Sequence, residues 1–148
     1  MNPLFDIQDM ILNHLRRQDI FRASDIHWIL RQEGKLLSDI DAGQSQLAMA
    51  CFVYPPLPGD ANPNSPCLEM TESSLRVTWF EHYEMTKDYS IHIDRFAIET
   101  LKILHHWQPP GNSTLGFVTT QPSQPIEWQV TKQGMQQIDC WLQAPIVI

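Results

Sequence analysis

Four side chains within the stretch 82–94, His82, Glu84, His92 and Asp94, are of the types that bind metals or move protons. Two imidazoles and two carboxylates on neighbouring strands would hold a divalent cation, or act as an acid and a base near neutral pH. The local pattern offers a way to bring them together. Val77, Trp79, Tyr83 and Met85 alternate along one face of an arm from Leu75 to Met85, and Tyr89, Ile91 and Ile93 along one face of a second arm. With both apolar sets on one side of a sheet, Thr86-Lys87-Asp88 becomes a three-residue turn and Tyr83 pairs with Ile91, a register fixed by the hydrophobic pattern. Phe80, His82 and Glu84 then share the opposite face with Ser90, His92 and Asp94, and His82 lies across from His92. The plainer account of the same residues is the solvated face of an amphipathic hairpin.

That ribbon is also anionic. Glu69, Glu72, Glu81, Glu84, Asp88 and Asp94 fall in a stretch whose only cations are Arg76 and Lys87. Clustered carboxylates steer and orient a basic partner, and an aromatic side chain beside them, here Phe80, is typical of an interface centre. The expected partner-binding set is therefore Phe80, Glu81, His82, Glu84, Asp88 and His92. A face kept acidic for solubility is the alternative.

Other chemistry has little to stand on. His105 and His106 are adjacent near a helix end, where side chains about 100° apart cannot readily share a metal and imidazolium would favour the helix dipole. His14 and His27 lack a carboxylate or thiol at a spacing that completes a ligand set. The frames for a nucleophile elbow, a phosphate loop, a dinucleotide fold, a zinc protease and a calcium loop are all missing, and the six glycines are scattered. Cys51, Cys67 and Cys140 form no C-x-x-C pair and are odd in number, which predicts free thiols rather than a disulfide framework or zinc site. No cofactor is expected.

The chain has 148 residues, 43% of them apolar, enough for one core and few for two. A single domain spanning 1–148 is the expectation. The formal charge of -7 is concentrated in the middle, where residues 35–94 hold nine acids against three bases. The longest basic run is Arg16-Arg17, so nucleic acid is a poor partner. Met1-Asn2-Pro3 followed by Asp6 and Asp9 lacks the basic flank and apolar stretch of a secretory signal, and no apolar run approaches membrane-spanning length, which points to the cytoplasm.

The elements that would position these groups can be read in order. Leu4, Ile7, Ile11 and Leu15 predict a helix over 4–17, and a second from Ser24 to Gly34 completes an N-terminal helical hairpin. The apolar run 47–54 predicts a buried strand ended by Pro55-Pro56. Residues 55–66 hold five prolines and read as a mobile surface loop. Beyond the ribbon, Asp94 caps a central helix to about Trp107, and strands near 115–120 and 126–130 form a second hairpin. Thr131 caps a C-terminal helix with Met135, Ile138 and Leu142 in its stripe. The Ile146-Val147-Ile148 tail packs on the core or marks a contact surface. Strands follow strands more often than helices intervene, so the class is α+β with a mainly antiparallel sheet.

The segment Leu115–Leu142, with its short hairpin, Trp128-Gln129-Val130-Thr131-Lys132-Gln133-Gly134 and a helix ending Trp141-Leu142, resembles the wing and closing helix of winged-helix regulators. The resemblance implies DNA binding, but residues 103–131 contain no Lys or Arg to serve it. The first functional expectation is thus a non-catalytic acidic protein-binding module, such as an adaptor, a chaperone or an inhibitor or immunity-like protein, that contacts a basic partner. The alternatives are a winged-helix-like transcriptional regulator and a small metal-dependent enzyme using His82 and His92. A second copy of the chain stands as a further partner, giving a homodimer.

Overall fold

The computed structural model describes residues 2–111, 114–131 and 134–148. Met1, Lys132 and Gln133, named above, lie outside the described residues. The chain runs through α1 (Pro3–Arg16), α2 (Asp19–Arg22), β1 (His27–Trp28), α3 (Gly34–Asp41), β2 (Met49–Val53), β3 (Glu69–His82), α4 (Tyr83–Thr86), α5 (Ile93–Leu104), β4 (Thr119–Thr120), β5 (Ile126–Val130) and β6 (Met135–Val147). The sheet order is β1-β2-β3-β6-β4, with β5 also on β6. β1 is parallel to β2 and the other pairs are antiparallel, so the class is α+β with a mixed, mostly antiparallel sheet.

The sheet has two differently built faces. Leu75, Val77 and Trp79 of β3 point with Ile138, Cys140 and Leu142 of β6 into the larger core, closed by Ile7, Ile11 and Leu15 of α1 and by Phe96 and Ala97 of α5. Trp79 is its hub. Its fully buried ring meets Phe21, Trp28 and Phe96 at centroid distances of 5.2–5.6 Å, and its Nε1–H donates to Thr100 Oγ1 at 3.0 Å, so the one polar atom of the largest core side chain is satisfied. On the other face, Ala50, Phe52, Phe80 and Met135 form a smaller cluster beneath α3, with Ile40. Beside it Asp139 is buried and accepts from Thr78 Oγ1 at 2.7 Å and from Arg76 Nη2 and Gln137 Nε2 at 3.1 Å.

The helix at 4–17, the strand at 47–54, the strand at 126–130 and the helix from Asp94 match α1, β2, β5 and α5 to within a few residues. Several expectations do not hold. The 75–93 hairpin is absent because both edges of β3 are already taken, Phe80 pairing with Ala50 of β2 on one side and with Gln137 of β6 on the other. Residues 83–86 coil into α4 instead, where Thr86 Oγ1 donates back to His82 O at 3.2 Å. The second half of the N-terminal helical hairpin is replaced by β1 and a turn. Ser24 Oγ donates to Ile20 O at 3.4 Å, closing α2 rather than opening a new helix, and Gly34 begins α3 instead of ending one.

The C-terminal helix is likewise overturned. Met135, Ile138 and Leu142 fit a helical stripe, but Ile138, Cys140, Leu142, Ala144 and Ile146 fit a period of two, and pairing with β3 along most of its length selects the strand. The closing helix implied by the winged-helix resemblance is therefore β6. Thr131 accordingly closes the β5–β6 turn, its N–H donating to Met135 O at 2.7 Å, with Gly134 at φ 81 supplying the left-handed residue. β4 and β5 do not pair with each other; each pairs with β6. The 55–66 loop is not a free excursion. Asn62 N–H donates to Glu69 O and Thr71 N–H to Asp60 O, and a Cβ on Gly59 would come within 1.9 Å of Thr71 O, so only glycine permits that approach.

Candidate functional site

Alternation along β3 decides where the expected site residues go. Glu81 shares a face with Val77 and Trp79, and Phe80 and His82 share the other. Phe80 is 3% exposed in the cluster beneath α3, so it is not the exposed aromatic that the ribbon would have presented. His82 lies opposite Met135, on that same side, and its Nδ1 is buried without a hydrogen-bond partner among the described residues. Glu81 turns toward α5 and is 4% exposed. His82 and His92 are therefore on opposite faces of β3 and do not form a pair. No group of three or more His, Cys, Asp or Glu able to hold a metal occurs among the described residues.

What the fold does unite is Glu81 and His92. β3 ends one residue after Glu81, the chain reverses through α4, and His92 becomes the residue that precedes the first turn of α5. Its side chain does not cap the helix. Instead Nδ1 lies 2.7 Å from Glu81 Oε1. A contact that short needs a hydrogen between the two atoms, which the imidazole supplies from Nδ1. Charge placement also favours the pair, because a carboxylate beside the N-terminal end of α5 meets the positive end of the helix dipole.

The pair opens onto a hollow of about 300 Å³ lined by Glu81, Tyr83, His92, Ile93, Asp94, Trp128, Gln136 and Ile138. Register explains the lining: Gln136 is the β6 partner of Glu81, and Trp128 of β5 is the partner of Ile138. Trp128 Nε1–H donates to Gln136 Oε1 at 3.1 Å, which holds the indole at the edge of the hollow. Tyr83 and Trp128 are 50% and 58% exposed, and Asp94 is exposed, so the rim carries two aromatic rings and a second carboxylate. Glu84 and Asp88 lie on and just after α4, exposed, with Lys87 Nζ 4.0 Å from Glu84. Glu69 and Glu72 sit at the far end of β3 and belong to a different part of the surface.

Of the six expected residues, then, Glu81 and His92 meet, Glu84 and Asp88 remain exposed nearby, and Phe80 and His82 face elsewhere. Tyr83, Trp128 and Gln136 are not anticipated at the site, and Asp94, expected on the anionic face though not in the partner-binding set, joins them. The hairpin reading puts Tyr83 on the apolar face of a strand that in the structure stops one residue earlier. Trp128 carries a readable signal, since Ile126-Glu127-Trp128-Gln129-Val130 alternates apolar and polar residues. No helix among the described residues is long and apolar enough to cross a membrane. Compared with known proteins, the chain matches no family model and no curated protein sequence.

Proposed function

We propose that the chain is a non-catalytic acidic protein-binding module that takes a basic side chain of its partner into the Glu81–His92 hollow. The observation that carries this reading is a buried carboxylate, fixed by an imidazole, with a second carboxylate and two exposed aromatic rings around it. Lys and Arg combine a cation with an apolar stem, and such a lining complements both parts: Glu81 and Asp94 offer charge, and Tyr83 and Trp128 offer ring faces for the stem and for cation–π contact. The volume suits one long side chain, at the low end of small-molecule sites. Glu84, Asp88 and the net charge of -7 add attraction at longer range. Three free thiols fit a cytoplasmic setting.

Fluorescence anisotropy with a short labelled Lys- and Arg-rich peptide tests the reading. Affinity should fall steadily with salt, and Asp94→Asn or Tyr83→Ala should each weaken binding by about tenfold. Glu72→Gln, which removes the same charge at the far end of β3, should change it by no more than about twofold. Equal losses at positions 72 and 94 would reduce the interaction to unspecific attraction and end the proposal.

A further inference from the structure

The sheet leaves one long edge unprotected. β1 and β4, at the ends of the strand order, have two residues each, and shortness alone blunts them as templates for further pairing. β5 has five residues, contains neither Lys nor Pro, and pairs with β6 without a register shift. All five residues are exposed on both faces, so nothing else in the described structure covers its outer side.

Backbone alternation shows what that edge offers. Trp141 N–H donates to Pro125 O at 2.8 Å and Thr131 N–H to Met135 O at 2.7 Å, which places the odd-numbered residues 125–131 in the hydrogen-bonded positions toward β6. The N–H and C=O groups of Ile126, Trp128 and Val130 therefore point outward. These are also the residues whose large apolar side chains are exposed, at 37%, 58% and 52%.

We propose that β5 pairs with β5 of a second copy, antiparallel about Trp128, to make a two-fold dimer with a sheet continuous across both chains. The segment is complementary to itself. Centred on Trp128, Ile126 faces Val130 of the second copy on the apolar side, Trp128 faces Trp128, and Glu127 faces Gln129 on the other side, so no like charges stand directly opposite. About six backbone hydrogen bonds would join the copies, supplied by the three outward-facing residues of each. The segment also adds little repulsion of its own: residues 103–131 carry a single charged side chain, Glu127, which the two-fold places opposite Gln129. The pairing goes beyond the basic-partner reading; Trp128 belongs to both surfaces, but Ile126 and Val130, the two positions altered in the test, do not line the hollow.

Sedimentation equilibrium of the full chain from roughly 1 µM to 1 mM tests this. A reversible monomer–dimer equilibrium is expected. The double variants I126K/V130K and I126E/V130E should each associate at least about tenfold more weakly than the natural chain, and mixing them should restore the dimer, since positions 126 and 130 of opposing copies then carry opposite charges. Amide exchange of the unaltered chain gives a second readout that needs no variant: the N–H groups of Ile126, Trp128 and Val130 should gain protection as concentration rises. A chain that stays monomeric across the range, charge variants that dimerise undiminished or fail to pair when mixed, or exchange at these three amides that ignores concentration would overturn the proposal.

Discussion

Glu81 and His92 meet at 2.7 Å although one lies just before the end of a strand and the other precedes a helix. Their contact ties the start of α5 to the end of β3 and leaves a carboxylate that is almost wholly enclosed. Removing the imidazole strands that carboxylate, while amidation keeps an acceptor for Nδ1–H and removes the charge. His92→Ala should therefore lower stability by about 2–3 kcal/mol and Glu81→Gln by about 1 kcal/mol. Urea unfolding followed by circular dichroism checks the order; a larger loss for Glu81→Gln would contradict it.

Asp139 is the second enclosed carboxylate, and its partners come from both neighbouring strands: Arg76 and Thr78 of β3, Gln129 of β5. Arg76 is further held over the Tyr54 ring at 4.3 Å. Asp139→Ala leaves a guanidinium and three polar donors unsatisfied and should cost about 3–5 kcal/mol, whereas Thr78→Val removes one bond and should cost about 1 kcal/mol. Thermal and urea unfolding of the two variants would separate these cases.

The cysteines should divide by depth. Burial pushes the Cys51 thiol well up, with Cys140 adding to it, and burial followed by the charge of Asp139 pushes Cys140 up, while Cys67 is exposed. In the folded protein at mildly alkaline pH, a thiol-reactive dye should label Cys67 alone, and Cys51 and Cys140 should react only on unfolding. Rapid labelling of all three in the native state would contradict the core described here.

His14 stacks on Trp107 with ring centroids 4.3 Å apart, joining α1 to the segment after α5. Burial, and secondarily the Arg17 cation, hold its pKa below 6.5. On acidification the unfolded chain takes up this proton first. The His14 contribution is thus fully present above 6.5 and is lost as pH falls through the lower folded value. The urea midpoint should drop more steeply for the natural chain than for His14→Gln between about pH 7 and 5; parallel profiles would remove the effect.

Legibility in the sequence followed the distance over which each decision is made. α1 was readable because Ile7, Ile11 and Leu15 give one period and one face, and β2 because its apolar run ends at Pro55. β6 was not, since Met135, Ile138 and Leu142 satisfy a helical spacing while the overlapping set from Ile138 to Ile146 satisfies a strand, and only pairing with β3, some sixty residues earlier, decides between them. The site suffered similarly. Glu81 and His92 were both named, but their meeting required β3 to be a central strand, which turns Phe80 and His82 to the opposite face of the sheet. Trp128 and Gln136 reach the hollow solely through β5 and β6.

The central claim is that this hollow, rather than negative charge in general, recognises a basic side chain. Amide and indole spectra of the isotopically labelled chain, recorded while a Lys- and Arg-rich peptide is added at roughly 0.15 M salt, test it most directly. The account predicts that the largest shifts fall on Tyr83, His92, Asp94 and the Trp128 indole N–H. Shifts of equal size around Glu69 and Glu72, or none near His92, would contradict it.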